Sequence, residues 1–201
     1  MISESPSPSD EVLARQTQAG SMEAFEELVL RYERRIYAFV CQSCRNGMDA
    51  GEVTQETFVK AYQAISQFDP NRTFAPWLFT IARRKTVDHF RAVPPASNEP
   101  ALELSDSHDP SELLAAQDER HQLWSMARRI LPRAQFDALW LHYVEDMNLA
   151  EVAKVLRRPQ TYIKVLLFRG RKALAERLKP VRATIDSAPQ TISHAYEIPV
   201  R

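Results

Sequence analysis

Glycine is scarce in this chain, at 4 residues in 201, and cysteine is scarcer, at 2. So few glycines argue against Gly-rich phosphate loops and against a β-rich fold full of tight turns. Cys41 and Cys44 are too few for a disulfide scaffold. No stretch approaches the roughly 18 consecutive apolar residues of a membrane span. The opening "MISESPSPSDE" has neither the basic nor the apolar region of a secretory signal. The HExxH, Walker-loop and nucleophile motifs are missing, and the 5 histidines are scattered without ligand spacing. These absences point to a soluble cytoplasmic protein that is not an enzyme, holds no metal or cofactor, and does not insert into a membrane.

The net charge is +0, so bulk charge predicts no polyanion partner. The charge distribution says more. From Ala92 to Glu119 there is no Lys or Arg, but seven acids: Glu99, Glu103, Asp106, Asp109, Glu112, Asp118 and Glu119. From Arg157 to Arg182 there are nine Lys/Arg and a single acid, Glu176. A neutral total hides an acidic middle and a basic end. With 44% apolar residues, the chain can build one core or two small ones.

Ser3 to Ser9 is rich in Ser and Pro and reads as disordered, over residues 1–9. Helical periodicity starts near Asp10. From Ser21 the residues Met22, Phe25, Leu28, Val29, Tyr32, Ile36, Phe39 and Val40 recur every three or four positions, one face of a helix. Ser21 suits its N-cap, and Asn46-Gly47 suits its end. A second helix opens at Asp49 and stops before the turn signal "FDPN". A third begins near Pro76. "AVPPASNEPALELSDSHDP", residues 92–110, reads as an extended acidic linker and domain boundary. Helices resume from Ser111 to about Leu131, then from a first-turn Pro132, then behind an Asn148 cap. The last runs from Pro159 towards Pro180, and the tail from Val181 to Arg201 shows no period. The expected fold is all-α: two small helical domains, 10–91 and 111–180, joined by a flexible acidic linker.

"LAEVAKVLRRPQTYIKVLL" has helix-turn-helix spacing. Val152 and Leu156 face inward on the first helix, Ala153 sits at the crossing, and Ile163 and Leu166 face back from the second. Arg157 stands where the turn usually has glycine. Ile163, Leu166, Leu167 and Leu174 take the core side. Gln160, Thr161, Tyr162, Lys164, Arg169, Arg171 and Lys172 are left for solvent or DNA. Polar residues at the start of a recognition helix reach base edges, and later cations neutralise phosphates. A solvated basic face is the plain alternative. A membrane-surface helix fits less well, because a helical partner already accounts for the apolar side.

With both halves laid out, residues 20–180 resemble a bacterial RNA polymerase sigma factor of the extracytoplasmic-function (ECF) class, the two-domain type. "DAGEVTQETFVKAYQAI" resembles the family's core-polymerase-binding helix, usually close to D-A-E-D-L-V-Q-E-T-F. "FAPWLFTIARRKTVDHFR" resembles the helix that opens and reads the promoter −10 element. "ALWLHYVEDMNLAEVAKVL" with "YIKVLLFRGRKAL" resembles the −35-reading domain. The resemblance implies a region 2-like domain, a region 4-like helix-turn-helix domain, and three partners: core RNA polymerase, promoter DNA and an anti-sigma factor.

The residues carry these roles as follows. Asp49, Glu52 and Glu56 share a side of one helix with Gln55 and Lys60 nearby. That set is either a solvated face or, by the resemblance, a docking surface for polymerase. The loop from Asp69 to Ala75 corresponds to the family's pocket for an unstacked −10 base. Asn71, Arg72 and Thr73 would give polar contacts there, and Phe74 or Trp77 an apolar wall, with a core role the alternative for the aromatics. Arg83, Arg84, Lys85 and Arg91 form a basic edge for phosphates. For −35 DNA the candidates are Gln160, Thr161, Tyr162, Lys164, Arg169, Arg171 and Lys172.

Three departures stand out. "KVLLFR", Lys164 to Arg169, replaces the frequent K-S-R-L-H-R, so Val165 and Leu166 stand where relatives carry a polar pair. Ala75 replaces a basic residue, and Gly51 an acid. Cys41 and Cys44 have CxxC spacing, read as incidental thiols or, with too few partners, a metal or redox pair. The rival functions are a stand-alone helix-turn-helix regulator with an N-terminal dimerisation or ligand domain, and a protein-only adaptor.

Overall fold

A computed structural model of the chain describes residues 7–43, 47–92 and 113–186. Among these residues every regular element is helical. The order is α1 (Asp10–Gln18), α2 (Met22–Cys41), α3 (Gly47–Ala64), a 3-10 turn (Ile65–Gln67), α4 (Phe74–Ala92), α5 (Leu113–Ile130), α6 (Arg133–Tyr143), α7 (Leu149–Leu156) and α8 (Gln160–Asp186). The all-α expectation and the two helical groups hold. The acidic linker falls almost wholly on 93–112, outside the described residues.

The N-terminal group forms because four helices share one apolar interior. Ser9 caps α1 by accepting from the Val12 N–H, and Ser21 caps α2 by accepting from the Ala24 N–H. Gly20, at φ 101°, makes the turn between them. α2 buries Phe25, Leu28, Tyr32, Ile36, Phe39 and Val40, the stripe its sequence period lays out. Phe39 meets Phe79 edge-on at 5.3 Å, and Tyr32 meets Phe74 at 5.5 Å. Polar clips fix the register: Gln18 Nε2 donates to the carbonyls of Ile65 and Phe68, both at 2.7 Å, and Glu11 accepts the Phe74 N–H at 3.2 Å.

The C-terminal group packs α6, α7 and α8 around Leu139, Leu141, Val152 and Ile163, with Trp124, Phe136 and Trp140 in mutual ring contact. α8 presses close to α6 at Gly170. A Cβ there would lie 2.8 Å from Leu139 Cδ1, so glycine sets the approach.

Several sequence expectations need correction. Residues 7–9 are not disordered: Ser9 is a cap, and the Pro8 carbonyl accepts from Arg31 at 2.8 Å. α2 ends at Cys41, and Gly47 opens α3 instead of closing α2. Pro132 is the N-cap of α6, one place earlier than expected. α8 does not stop at Pro180 but continues to Asp186; one lost backbone donor interrupts a helix without having to end it.

The two groups also touch, which no sequence pattern indicated. α4 lies against α7. Across this interface Arg35 pairs with Glu145 at 2.8 Å, Thr73 Oγ1 donates to Glu151 at 2.7 Å, and Arg83 lies 3.9 Å from Asp137.

Candidate nucleic-acid interface

The helix-turn-helix is built by α7 and α8. Asn148 and Glu151 form a reciprocal capping box at the start of α7, which satisfies donors that a helix start leaves orphaned. At its end Arg157 adopts φ 51°, ψ 50°, the left-handed conformation that glycine usually takes. The Arg158 N–H reaches the Ala153 carbonyl at 3.0 Å and closes the turn. Val152, Val155 and Leu156 of α7 are buried with Ile163, Leu166 and Leu167 of α8. The core side is as the spacing predicts, with Ala153 and Leu174 packed half-buried against it.

Gln160, Thr161, Tyr162, Lys164, Arg169, Arg171 and Lys172 are all exposed on α8. They are not equivalent. The Arg158 guanidinium lies 5.7 Å from the Tyr162 ring centroid. Arg171 turns back towards α6, donating to the Leu167 carbonyl at 3.3 Å and to Tyr143 Oη at 3.4 Å. The departure from the polar pair resolves into two cases. Leu166 is 4% exposed and belongs to the core, whereas Val165 is 40% exposed, and Phe168 beyond it 61%.

The loop between the 3-10 turn and α4 is held by Asp69. Its carboxylate accepts from the Asn71 N–H and from Asn71 Nδ2, both at 3.1 Å, and faces Arg72 at 3.2 Å. Those bonds, the backbone one foremost, hold the Asp69 carboxyl below its usual range. Asn71, Arg72 and Thr73 are exposed. Phe74 is not available as an apolar wall for a base. It is 1% exposed, edge-on to Tyr32 and Phe68 and tilted against Trp77. As the first residue of α4 its side chain falls on the core face, and only half-buried Trp77, against Phe68 and Phe74, lies near the surface.

The basic edge of α4 is divided. Arg84 and Arg91 are exposed, Arg84 lying 3.9 Å from Asp88. Lys85 Nζ donates to Glu56 at 3.0 Å and so ties α4 to α3. Arg83 turns into the interface with the helix-turn-helix. Among the described residues its buried Nε has no hydrogen-bond partner, and burial pushes the guanidinium down from its ordinary value. Burial likewise pushes the facing Asp137 carboxyl up, although Arg133 donates to it at 2.6 Å. Glu145, paired with Arg35 and accepting from Trp140 Nε1, is raised by the same cause.

On α3, Glu52, Gln55, Glu56 and Lys60 are exposed, and half-buried Asp49 lies 3.9 Å from His89 Nε2. Ala50, Val53, Thr57 and Ala61 are buried on the opposite side. Met48 and Val59, 85% and 58% exposed, lie outside the set read from sequence. They fall off the buried stripe of α3, which is the signal that marks them as surface apolar residues. Cys41 is buried, and burial pushes its thiol up, away from the thiolate that metal binding or exchange needs. Cys44 lies outside the described residues.

Comparison with known proteins falls on these same two groups. Residues 28–93 match the family model for sigma-70 region 2, and residues 126–174 match that for sigma-70, region 4. Together they take in more than half of the chain. The ECF RNA polymerase sigma-E factor of Escherichia coli strain K12 is 28% identical over 184 residues, covering 86% of this chain and 95% of the relative. The ECF RNA polymerase sigma factor SigW of Bacillus subtilis is 28% identical over 177 residues, covering 82% and 94%. In fold the chain is similar to CnrH solved in complex with the cytosolic domain of CnrY, with TM-score 0.61, 24% identity and coverage of 85% and 97%. It is also similar to the sigma factor RpoE solved with the anti-sigma factor NepR from Bartonella quintana, with TM-score 0.59, 19% identity and coverage of 79% and 98%. Helix-turn-helix, region 2 bundle and full-length relatives agree: the chain belongs to the sigma-70 family, as an RNA polymerase sigma factor of the ECF class.

Proposed function

We propose that this sigma factor divides its work between its helical halves. Residues 10–91 bind core RNA polymerase and the −10 element, 111–180 read the −35 element, and 92–110 tether them. The observation that carries this reading is the capped α7–α8 helix-turn-helix with its cationic outer face, in one chain with a region 2 bundle. Neither half needs high affinity of its own, because a tether converts the second contact into an intramolecular one at high effective concentration.

Asp49, Glu52, Gln55, Glu56 and Lys60 form the polymerase-docking face of α3. Asn71, Arg72, Thr73 and Trp77, with Arg83, Arg84, Lys85 and Arg91, serve the −10 element. Gln160, Thr161, Tyr162 and Lys164 meet −35 base edges, and Arg169, Arg171 and Lys172 meet phosphates. The protein works in the cytoplasm and contributes no catalytic group, since bond formation belongs to polymerase. The folds it resembles were solved with a cytosolic domain of CnrY and with the anti-sigma factor NepR. An anti-sigma factor holding this chain inactive is the matching expectation.

The test separates the two halves. Lys164→Ala with Lys172→Ala is expected to cut −35-dependent initiation at least tenfold and to leave core-polymerase binding unchanged. The lost Lys172 phosphate contact also lowers the slope of log affinity against log salt by about 1. Loss of polymerase binding in this variant would contradict the division. The stand-alone regulator predicts tight binding to palindromic DNA without polymerase.

A further inference from the structure

The outer face of α8 carries an apolar pair among its polar and cationic residues. At about 100° per residue, buried Ile163, Leu166, Leu167 and Gly170 mark one side of the helix. The side directly opposite is centred on Thr161, Val165, Phe168 and Lys172. Val165 and Phe168 are 40% and 61% exposed and lie one turn apart. Exposed Lys164 flanks them on one edge and exposed Arg169 on the other.

Single exposed apolar residues need no explanation. These two are adjacent, and they sit in the first three turns of the recognition helix, the part that faces base edges in a docked helix-turn-helix. The cations around them would hold the helix to the phosphates on either side. In the major groove thymine is the base that offers an apolar group, its C5 methyl. Cytosine presents an amino donor and no methyl, and the purines present polar edges.

We infer that Val165 and Phe168 read thymine methyl groups in the −35 element. This rests on α8 being the −35 reader, as proposed above. Specificity at these positions then comes from apolar contact, where relatives with a polar residue in place of Val165 would use hydrogen bonds. Polar readout is left to Thr161, at the N-terminal end of the face, and to Gln160, Tyr162 and Lys164 beside it.

The test uses holoenzyme made from the full chain and core polymerase. Random-sequence duplex DNA is selected for binding, and the enriched fragment is remade with deoxyuridine at each −35 thymine. Deoxyuridine keeps the hydrogen-bonding edge and lacks only the methyl. The expected result is about fourfold weaker binding at one or more thymines, the ratio that burying one methyl group supports. In a Val165→Ser, Phe168→Ala variant, the ratio between thymine and deoxyuridine falls to about one, with polymerase binding unchanged. Both positions are on the surface, so the variant keeps its core, which circular dichroism checks. Equal binding of the two DNAs by the unmodified protein overturns the inference, as does an enriched −35 segment without thymine or a variant that keeps the ratio. Failure to enrich any sequence in the −35 half overturns the −35 reading itself.

Discussion

Arg157 holds a left-handed backbone conformation without being glycine. That conformation costs an L-residue about 1–2 kcal/mol. The turn persists because the Arg158 and Arg157 N–H groups satisfy the carbonyls of Ala153 and Lys154. The charge of Arg157 also disfavours nearby buried Arg83. Both effects have the same sign, so Arg157→Gly is expected to stabilise the protein by about 1 kcal/mol, read as a higher urea midpoint. Phe74 makes the opposite case. It belongs to the sequence of the −10 loop, but its ring is in the core. Phe74→Ala is expected to cost about 3–5 kcal/mol of stability. A variant that lost promoter opening with unchanged stability would return Phe74 to the DNA site.

At the scale of elements, local chemistry made much of the fold legible. The stripe on α2, the Ser21 cap and the Asn148 cap all depend on residues within four positions of each other, and sequence spacing reports such neighbours directly. The capping box is expected to matter as caps do: Asn148→Ala should lower stability by about 1 kcal/mol, measured by thermal unfolding. Glu151 does more than cap. One carboxylate oxygen accepts the Asn148 N–H at 2.9 Å and the other accepts from Thr73. That second bond crosses 78 positions of sequence, and no periodicity announces it. The course of α8 through Pro180 was hidden because a proline signal outweighs weak helical preference in a window. The −35 candidates were legible as the polar remainder of an amphipathic helix. Val165 and Phe168 were not, since an apolar residue off the core stripe carries no polar group to mark it as a contact.

At the scale of the molecule, the two halves are in contact through α4 and α7. The −10 and −35 elements are about 25 base pairs apart, roughly 85 Å at about 3.4 Å per pair. Packed helices lie only about 8–10 Å apart, so on the assignment proposed above the closed pair cannot reach both elements, and Thr73 and Arg83 would leave the helix-turn-helix to meet DNA. The interface has the means to open. Arg83 gives up an unpartnered Nε and a 3.9 Å contact, which a phosphate can replace. Arg35–Glu145 is the stronger tie, because the Glu145 side chain is 2% exposed. Arg35→Ala leaves that carboxylate buried without its counter-charge, bonded to Trp140 Nε1, when closed and hydrated when open. Removing one partner of a fully buried pair costs about 3–5 kcal/mol, and with Arg35 40% exposed we expect about 2 kcal/mol in favour of opening. Energy transfer between dyes on α2 and α8 should fall in the free variant, and polymerase should bind up to about thirtyfold tighter. Unchanged dye separation would mean that the pair does not hold the halves together.

The functional expectations depend on the chain acting with polymerase, and transcription in vitro tests that most directly. Core RNA polymerase from the same organism is given a pool of random-sequence templates with and without the full chain, and transcript 5′ ends are sequenced. The account predicts transcripts that require the chain and start at a fixed distance from two shared upstream elements. Sequence-specific DNA binding by the chain alone, with no chain-dependent transcript, would contradict it.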